Sequence, residues 1–326
     1  MQLIINNNTE QMIQEVSTVT KKSTSGFIEA NTQKVSLEHL KNDCIIPVFS
    51  KDNETTISHY QFIDQAHESM LHLFPDIEIA EPQIRVSHVV KGRIPSAVGK
   101  PAKELLPEEM TMYYERCAFL IEVPSIRHIV NGNELTLSVG GVRAYNQENL
   151  YSKKSLEKFK IFIGFKNTVC TNLCISTDGF SNEIRIGSIL DLEHQMGQLF
   201  TQYNTEQHLG MMERMSRYIL SERQFAHFIG KLRMYQHLDK TEQKMVFPIA
   251  LNDSQINNVI KDYYGCSNFG RSPDGSINLW HLYNMFTQAN KSSYIDNNLE
   301  RNVHAYELMN NLGNSIQNNA SNWLLS

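Results

Sequence analysis

The hydrophobic period of this chain switches from two to helical spacing near Ser188, and that change restricts the fold more than any other feature. From Ile84 to about residue 180 apolar residues recur at every second position, and beyond Ser188 they recur at helical spacing. Ile84, Val86, His88 and Val90 share one strand face. Tyr113, Glu115, Cys117, Phe119 and Ile121 share another, opposite Tyr114, Arg116, Ala118 and Leu120. After the turn residues Asn131-Gly132-Asn133, Leu135, Leu137 and Val139 alternate with Thr136 and Ser138. Ile161, Ile163 and Phe165 mark a further strand, and residues 173–176 another, closed by Asp178-Gly179. The spacing predicts an antiparallel meander. His88, on an apolar strand face, reads as a core histidine.

Helical signals flank this region. Ser58-x-x-Gln61 is a capping box opening a helix with Phe62, Ile63 and Ala66 on one side, stopped by Pro75. Ser221-x-x-Gln224 opens another, with Phe225, Phe228, Ile229, Leu232 and Tyr235 as its stripe. Leu279, Leu282, Tyr283 and Phe286 form a third stripe, and Ile295, Leu299, Val303, Tyr306 and Met309 a fourth. Residues 44–49 read as a short edge strand because Pro47 cannot donate to a ladder. The fold class is therefore α+β, an antiparallel sheet in the first half and a helical assembly in the second. The expected organisation is a flexible arm over 1–40, a sheet region with one helix over 41–187, and helices over 188–326 packed on the sheet. No linker rich in Pro, Gly or Ser separates the last two, so they are expected to form one cooperative unit.

Composition narrows the setting. With 41% apolar and 20% charged residues the chain can bury a core. No run approaches the ~20 apolar residues of a membrane helix, and the opening Met1-Gln2-Leu3-Ile4-Ile5-Asn6 lacks the basic start of a secretory signal. Five cysteines without framework spacing point to a reducing cytoplasm.

The motifs of nucleotide, zinc-protease and serine-hydrolase chemistry are absent from the sequence. Gly140-Gly141 reads as a bulge or a close backbone approach rather than a phosphate cradle. Cys170 and Cys174 lack a second close pair of ligands and read as core thiols. The histidines are dispersed. Glu134, Glu157 and Lys160 approach a nuclease-like acidic pair with a lysine only loosely. No catalytic residue, metal ligand or cofactor is expected from these patterns.

Charge carries the stronger signal. Residues 85–170 hold thirteen Lys and Arg against eight acids, a local excess of five positive charges on a chain whose net charge is −5. They gather in two stretches. The first runs from Lys91 and Arg93 through Lys103; the second runs from Tyr145 through Lys153, Lys154 and Lys158 to Lys160 and interleaves Tyr145 and Tyr151 with amides. Lysine and arginine neutralise phosphates and tyrosines stack on unpaired bases. Arg223, His227 and Lys231 form a lesser basic stripe on a predicted helix.

Several segments also resemble a known group. They are Lys91-Gly92-Arg93-Ile94-Pro95, Tyr113-Tyr114-Glu115-Arg116, the run from Ser138 through Gly140-Gly141 and Arg143 to Lys154, and that from Phe162 through Asn167-Thr168-Val169-Cys170-Thr171-Asn172 to Cys174. Downstream come Gln224-Phe225-Ala226-His227, Arg233-Met234-Tyr235-Gln236-His237-Leu238, Asn278-Leu279-Trp280 with Leu282-Tyr283-Asn284, and the run from Ala289-Asn290-Lys291 to Asn297. Together they resemble an uncharacterised family of domains of unknown function from Bacteroidetes genomes and their phages and mobile elements. Val169-Cys170-Thr171-Asn172 and Trp280-x-x-Tyr283-Asn284 look like a wider phage- and plasmid-borne family of unknown function. The resemblance implies a mobile-element setting and assigns no catalytic residue.

Two readings follow. The first is a non-enzymatic accessory protein for single-stranded nucleic acid, with a role in annealing or recombination, contacting its ligand through Lys91, Arg93, Arg143, Tyr145, Tyr151, Lys153, Lys154, Lys158 and Lys160. The second is a protein–protein or host-modulating module without catalytic activity, with a protein partner or a second copy of the chain. An enzyme with a site assembled from scattered residues is the third class considered.

Overall fold

The computed structural model describes residues 26–44, 56–97, 99–148 and 156–325. Its elements in chain order begin with β1 (Gln33–Val35), α1 (Leu37–Asn42), α2 (His59–Leu73), β2 (Gln83–Val86), β3 (Val89–Arg93) and β4 (Met110–Tyr114). The long strands β5 (Arg116–Val130), β6 (Asn133–Ala144) and β7 (Glu157–Asn167) follow, then β8 (Leu173–Cys174) and β9 (Phe180–Ile186). The helical half comprises α3 (Ile189–Gln202), α4 (Thr205–Met215), β10 (Ile219–Leu220), α5 (Glu222–Tyr235), α6 (Lys240–Met245) and α7 (Asp253–Gly265). It ends with β11 (Ile277–Asn278), α8 (Leu279–Asn290) and α9 (Ile295–Gln317). The fold is α+β.

The main sheet has the order β1-β2-β5-β6-β7, and β7 then pairs with both β8 and β9. Every pairing is antiparallel. One face carries Cys117, Phe119, Ile121 and Val123 from β5, Leu135, Leu137 and Val139 from β6, and Phe159, Ile161, Ile163 and Phe165 from β7. It packs against Phe62, Ile63, Ala66 and Met70 of α2 and Leu192, Met196 and Leu199 of α3, in a cluster that continues into the helical half. The opposite face, with Ala118, Leu120, Val142 and Phe162, meets Ile295, Leu299 and Val303 of α9 together with Phe27 and Ile28. Both faces being covered explains why ten consecutive residues of β6, Leu135 to Ala144, are buried.

The helix signals act where their spacing places them. Ser58 and Gln61 form the capping box of α2, and Ser221 and Gln224 that of α5. The stripes Phe225, Phe228, Ile229, Leu232 on α5 and Ile295, Leu299, Val303, Tyr306, Met309 on α9 are buried. Among the described residues no helix is long and apolar enough to cross a membrane.

The sheet departs from the expected meander at one joint. The run from Ile84 breaks at Ser87-His88 and the run from Tyr113 breaks at Glu115, so β3 and β4 leave the sheet and pair as a separate ribbon. The hydrogen bonds at the joint explain this. Arg116 N–H donates to Ser87 Oγ at 3.0 Å, and Tyr145 N–H donates to Glu115 O at 2.9 Å. Facing reverses across the break, so Tyr114 rather than Tyr113 joins Cys117 in the core. His88 is exposed at the joint and is not a core histidine. β9 was not predicted; its polar centre, Ser181-Asn182-Glu183, masks the inward pair Ile184 and Ile186.

Residues 26–40, expected in the flexible arm, belong to the fold. β1 pairs with β2, Phe27 and Ile28 are buried, and Ser36 caps α1. The rest of that arm lies outside the described residues, as does all of the expected strand at 44–49 except Cys44.

Gly140-Gly141 lies within the β6 ladder and serves close approach. A Cβ on Gly141 would stand 2.6 Å from Phe62 Cζ and 2.8 Å from Lys160 O. Phe62 therefore rests on the centre of the sheet only because residue 141 has no side chain. Gly141→Ala is expected to lower stability by about 1–3 kcal/mol through overpacking. A urea unfolding midpoint equal to that of the wild type would refute this account.

Candidate nucleic-acid interface

Arg143 and Tyr145 come first because the structure gives them a different task from the one expected. In β6, position 143 shares its parity with Leu135, Leu137 and Val139, and it pairs across with Cys117 of β5. Its guanidinium is buried, 4.4 Å from the centroid of the Phe159 ring and 4.7 Å from that of Tyr145. Nε and one terminal nitrogen donate to both oxygens of Glu148, at 3.1 and 3.3 Å. The same group donates to Glu157 and to the carbonyl of Ile57. Glu157 in turn accepts from the Ile57 N–H at 3.0 and 3.2 Å. Burial pulls the Arg143 pKa down, and Tyr145, Glu148 and Glu157 together outweigh it and raise it. Tyr145 is buried and stacks on His59 with ring centroids 4.2 Å apart. Neither residue is open to a ligand. Instead Arg143 ties together Glu148 and Glu157, the two residues that flank segment 149–156.

Tyr151, Lys153 and Lys154 fall within that segment and lie outside the described residues.

Lys158 and Lys160 are brought together. Both point to the face of β7 opposite Phe159 and Ile161, into a cleft of about 290 Å3 at the start of α9. Val142 and Ala144 line it from β6, Gln147 from the turn after β6, Asn182 and Glu183 from β9, and Asn297 and Glu300 from α9. Each lysine has a carboxylate partner. Lys158 Nζ lies 2.9 Å from Glu183 and Lys160 Nζ 2.6 Å from Glu300, and Lys160 also donates to the carbonyl of Asp296 at 2.7 Å. Gln147 reaches Asp296 at 3.5 Å, and Arg116 Nε lies 3.1 Å from the same carboxylate. The cleft is polar and close to charge-balanced.

Lys91 and Arg93 stand apart from this cleft, on the β3–β4 ribbon. Lys91 is exposed, while Arg93 donates to the carbonyl of Lys100 at 2.5 Å and to that of Ala97 at 3.5 Å. The ribbon touches the sheet near the Arg143 assembly through Tyr113, whose ring centroid is 6.1 Å from that of Tyr145. In the lesser stripe on α5, Arg223 and His227 are exposed and Lys231 Nζ stands over the Trp323 ring at 4.6 Å.

The nuclease-like set does not assemble. Leu135 pairs with Asn167 and Val142 with Lys160, so Glu134 and Glu157 stand at opposite ends of the β6–β7 ladder. Glu134 instead pairs with Arg127 at 3.1 Å. Cys174 is buried in the core, and burial pushes the Cys170 thiol up to about 11.

Sequence reasoning missed a buried polar seam joining the sheet to α8. Asn167 Nδ2 donates to Asn284 Oδ1 at 3.1 Å, and Asn172 Nδ2 to the Asn284 carbonyl at 2.9 Å. Lys291, almost fully buried, donates to Thr171 Oγ1 at 2.8 Å and to the carbonyl of Cys170. Thr171 is held at φ +58°, a conformation that β-branched residues rarely adopt. Trp280 Nε1 reaches Asn133 at 2.7 Å. The resemblance pointed to all of these residues except Asn133, without indicating that they meet.

The fold and its sites thus define an α+β scaffold with a covered sheet, a projecting ribbon and a polar cleft. The chain belongs to the DUF3871 family, a domain of unknown function described from a B. theta gene, whose model matches residues 6–325. No curated protein and no solved structure matches the chain.

Proposed function

We propose that this protein is a non-enzymatic accessory protein that binds single-stranded nucleic acid in the bacterial cytoplasm, in the service of a phage or other mobile element, with a role in annealing or recombination. The observation that carries the reading is the cleft holding Lys158 and Lys160 beside the anchored ends of segment 149–156. That segment brings Tyr151, Lys153 and Lys154, residue types suited to unpaired bases and phosphates. Arg143 supports the reading by joining Glu148 and Glu157, the residues on either side of that segment. Lys158 and Lys160, each held by a carboxylate, supply hydrogen-bond donors rather than free charge. The phosphate contacts then fall to Lys91, Arg93, Lys153 and Lys154. The mobile-element setting rests on the sequence resemblance alone.

The test is a titration of labelled single strands at several salt concentrations. About four phosphate contacts give a slope of log K against log salt of roughly −3 on single strands. Replacing Lys153 and Lys154 by alanine is expected to flatten the slope by about one unit or more. Tyr151→Ala is expected to weaken binding by about 1–3 kcal/mol with the slope nearly unchanged. Absence of salt-sensitive binding at low ionic strength would remove this reading.

A second reading, the interaction module, is favoured by a groove of about 680 Å3 between α2 and α3. His72, Leu73, Leu190, Glu193 and His194 line it, and Leu190 is 72% exposed. Its measure is the oligomeric state or a captured partner lost on Leu190→Asp.

A further inference from the structure

We infer that the cleft at the start of α9 receives one base of the bound strand, and that it favours cytosine and guanine, which carry both an exocyclic amino group and a carbonyl. The inference rests on the nucleic-acid reading above and specifies what enters this part of the site. Volume is the first argument. At about 290 Å3 the cleft lies near the lower limit, roughly 300 Å3, of small-molecule sites, so it suits one ring system rather than a run of nucleotides.

Charge is the second argument. Two lysines and two glutamates line the cleft as pairs at 2.9 and 2.6 Å. A phosphate placed there would meet Glu183 and Glu300 as well as the lysines, which does not suit an anion. A base edge fits better. Lysine only donates hydrogen bonds and a carboxylate only accepts them, so each pair presents a donor beside an acceptor. Cytosine and guanine offer the matching arrangement, an amino group for the carboxylate and a carbonyl for the ammonium. Adenine has no carbonyl, and thymine has no amino group.

The remaining walls complete the fit. The side chains of Asn182 and Asn297 make no hydrogen bond among the described residues, leaving amides free to meet a base edge. Val142 and Ala144 supply an apolar floor for the ring face. Lys160 is fixed by the Asp296 carbonyl as well as by Glu300, so its donor is held in place before a ligand arrives.

The experiment titrates the full-length protein with labelled oligodeoxycytidylate, oligodeoxyadenylate, oligothymidylate and an abasic strand of the same length. The expected result is a preference of about tenfold for the cytidylate strand over the other three, the effect of one good paired contact. The double variant Asn182→Ala, Asn297→Ala alters exposed side chains only. It is expected to lower the preference without abolishing it, because the Lys158–Glu183 and Lys160–Glu300 pairs remain, while leaving the salt slope and the melting temperature unchanged. Equal affinity for all four strands with the salt slope intact would overturn the cleft assignment and leave the parent reading standing. A preference for adenine or thymine would also overturn it. So would free cytidine monophosphate competing as well as the strand, because the cleft would then be a mononucleotide site. Loss of salt-sensitive binding to every strand would instead remove the parent reading, and this inference with it.

Discussion

Arg143→Met is expected to destabilise the protein by about 3–5 kcal/mol, the cost of removing one partner from a buried ionic cluster. The wild-type guanidinium serves Glu148, Glu157 and the Ile57 carbonyl at once, and both carboxylates are nearly buried. Without it, two nearly buried carboxylates lose the guanidinium that serves them both. A loss of this size is a large share of the roughly 5–15 kcal/mol that holds a domain folded. Guanidinium unfolding of the wild type and the variant gives the measurement. A second variant, with Glu148→Gln and Glu157→Gln added to Arg143→Met, is expected to recover much of the loss because the groups that lose the guanidinium are then neutral. A single-variant cost below about 1 kcal/mol would contradict the buried role. Arg143→Lys with native stability but no strand binding would return the residue to the ligand.

Acid is expected to begin destabilising the protein below about pH 6.5, above the range in which carboxylates titrate. His59 and His208 are fully buried, and burial lowers both pKa values from 6.5 to about 3. Arg143 adds to the effect at His59. His59 Nε2 meets the Tyr114 carbonyl at 2.9 Å, and His208 Nδ1 meets the Tyr203 hydroxyl at 2.8 Å. The second ring nitrogen of each has no partner, so a proton added there would be a bare buried charge. Between pH 6.5 and about 3 the unfolded chain therefore binds protons that the folded chain refuses. Stability is fully present above 6.5 and falls as the pH drops through this window. Each histidine contributes about 1.4 kcal/mol per pH unit. Urea midpoints measured from about pH 7 down to about pH 5 read the slope directly. His208→Phe should remove about half of it, and His59→Gln the other half. A flat profile for the wild type would show that neither histidine is buried in the neutral form.

Much of the architecture was legible in the sequence because its cause is local. Capping boxes at Ser58 and Ser221 and the stripes on α5, α8 and α9 depend on neighbours within one or two turns. The alternation in β5, β6 and β7 is similarly self-contained. The joint at Ser87 and Glu115 was not legible, because bonds between distant segments create it. Arg143 was misread through its residue type, which ordinarily means surface. Its parity with Leu135, Leu137 and Val139 was the available signal that it points inward. The cleft was half legible. Lys158 and Lys160 alternate with Phe159 and Ile161, but Asn182, Glu183 and Glu300 reach the cleft only through β9 and α9. The seam around Asn284 and Lys291 joins residues more than a hundred positions apart, and no periodicity reports such a meeting.

The covering of the sheet's second face has a consequence for how the chain is made. Ala118, Leu120, Val142 and Phe162 are closed off by Ile295, Leu299 and Val303 of α9, which leave the ribosome long after the strands they cover. Until then the nascent chain carries a greasy sheet surface covered only in part, by Phe27 and Ile28. Pairings of such long sequence separation are slow to form and hazardous while they wait. Synthesis of this protein thus has a vulnerable interval that ends only when its last helix arrives. A chaperone that holds extended apolar strands would act in that interval and have no purchase on the finished molecule.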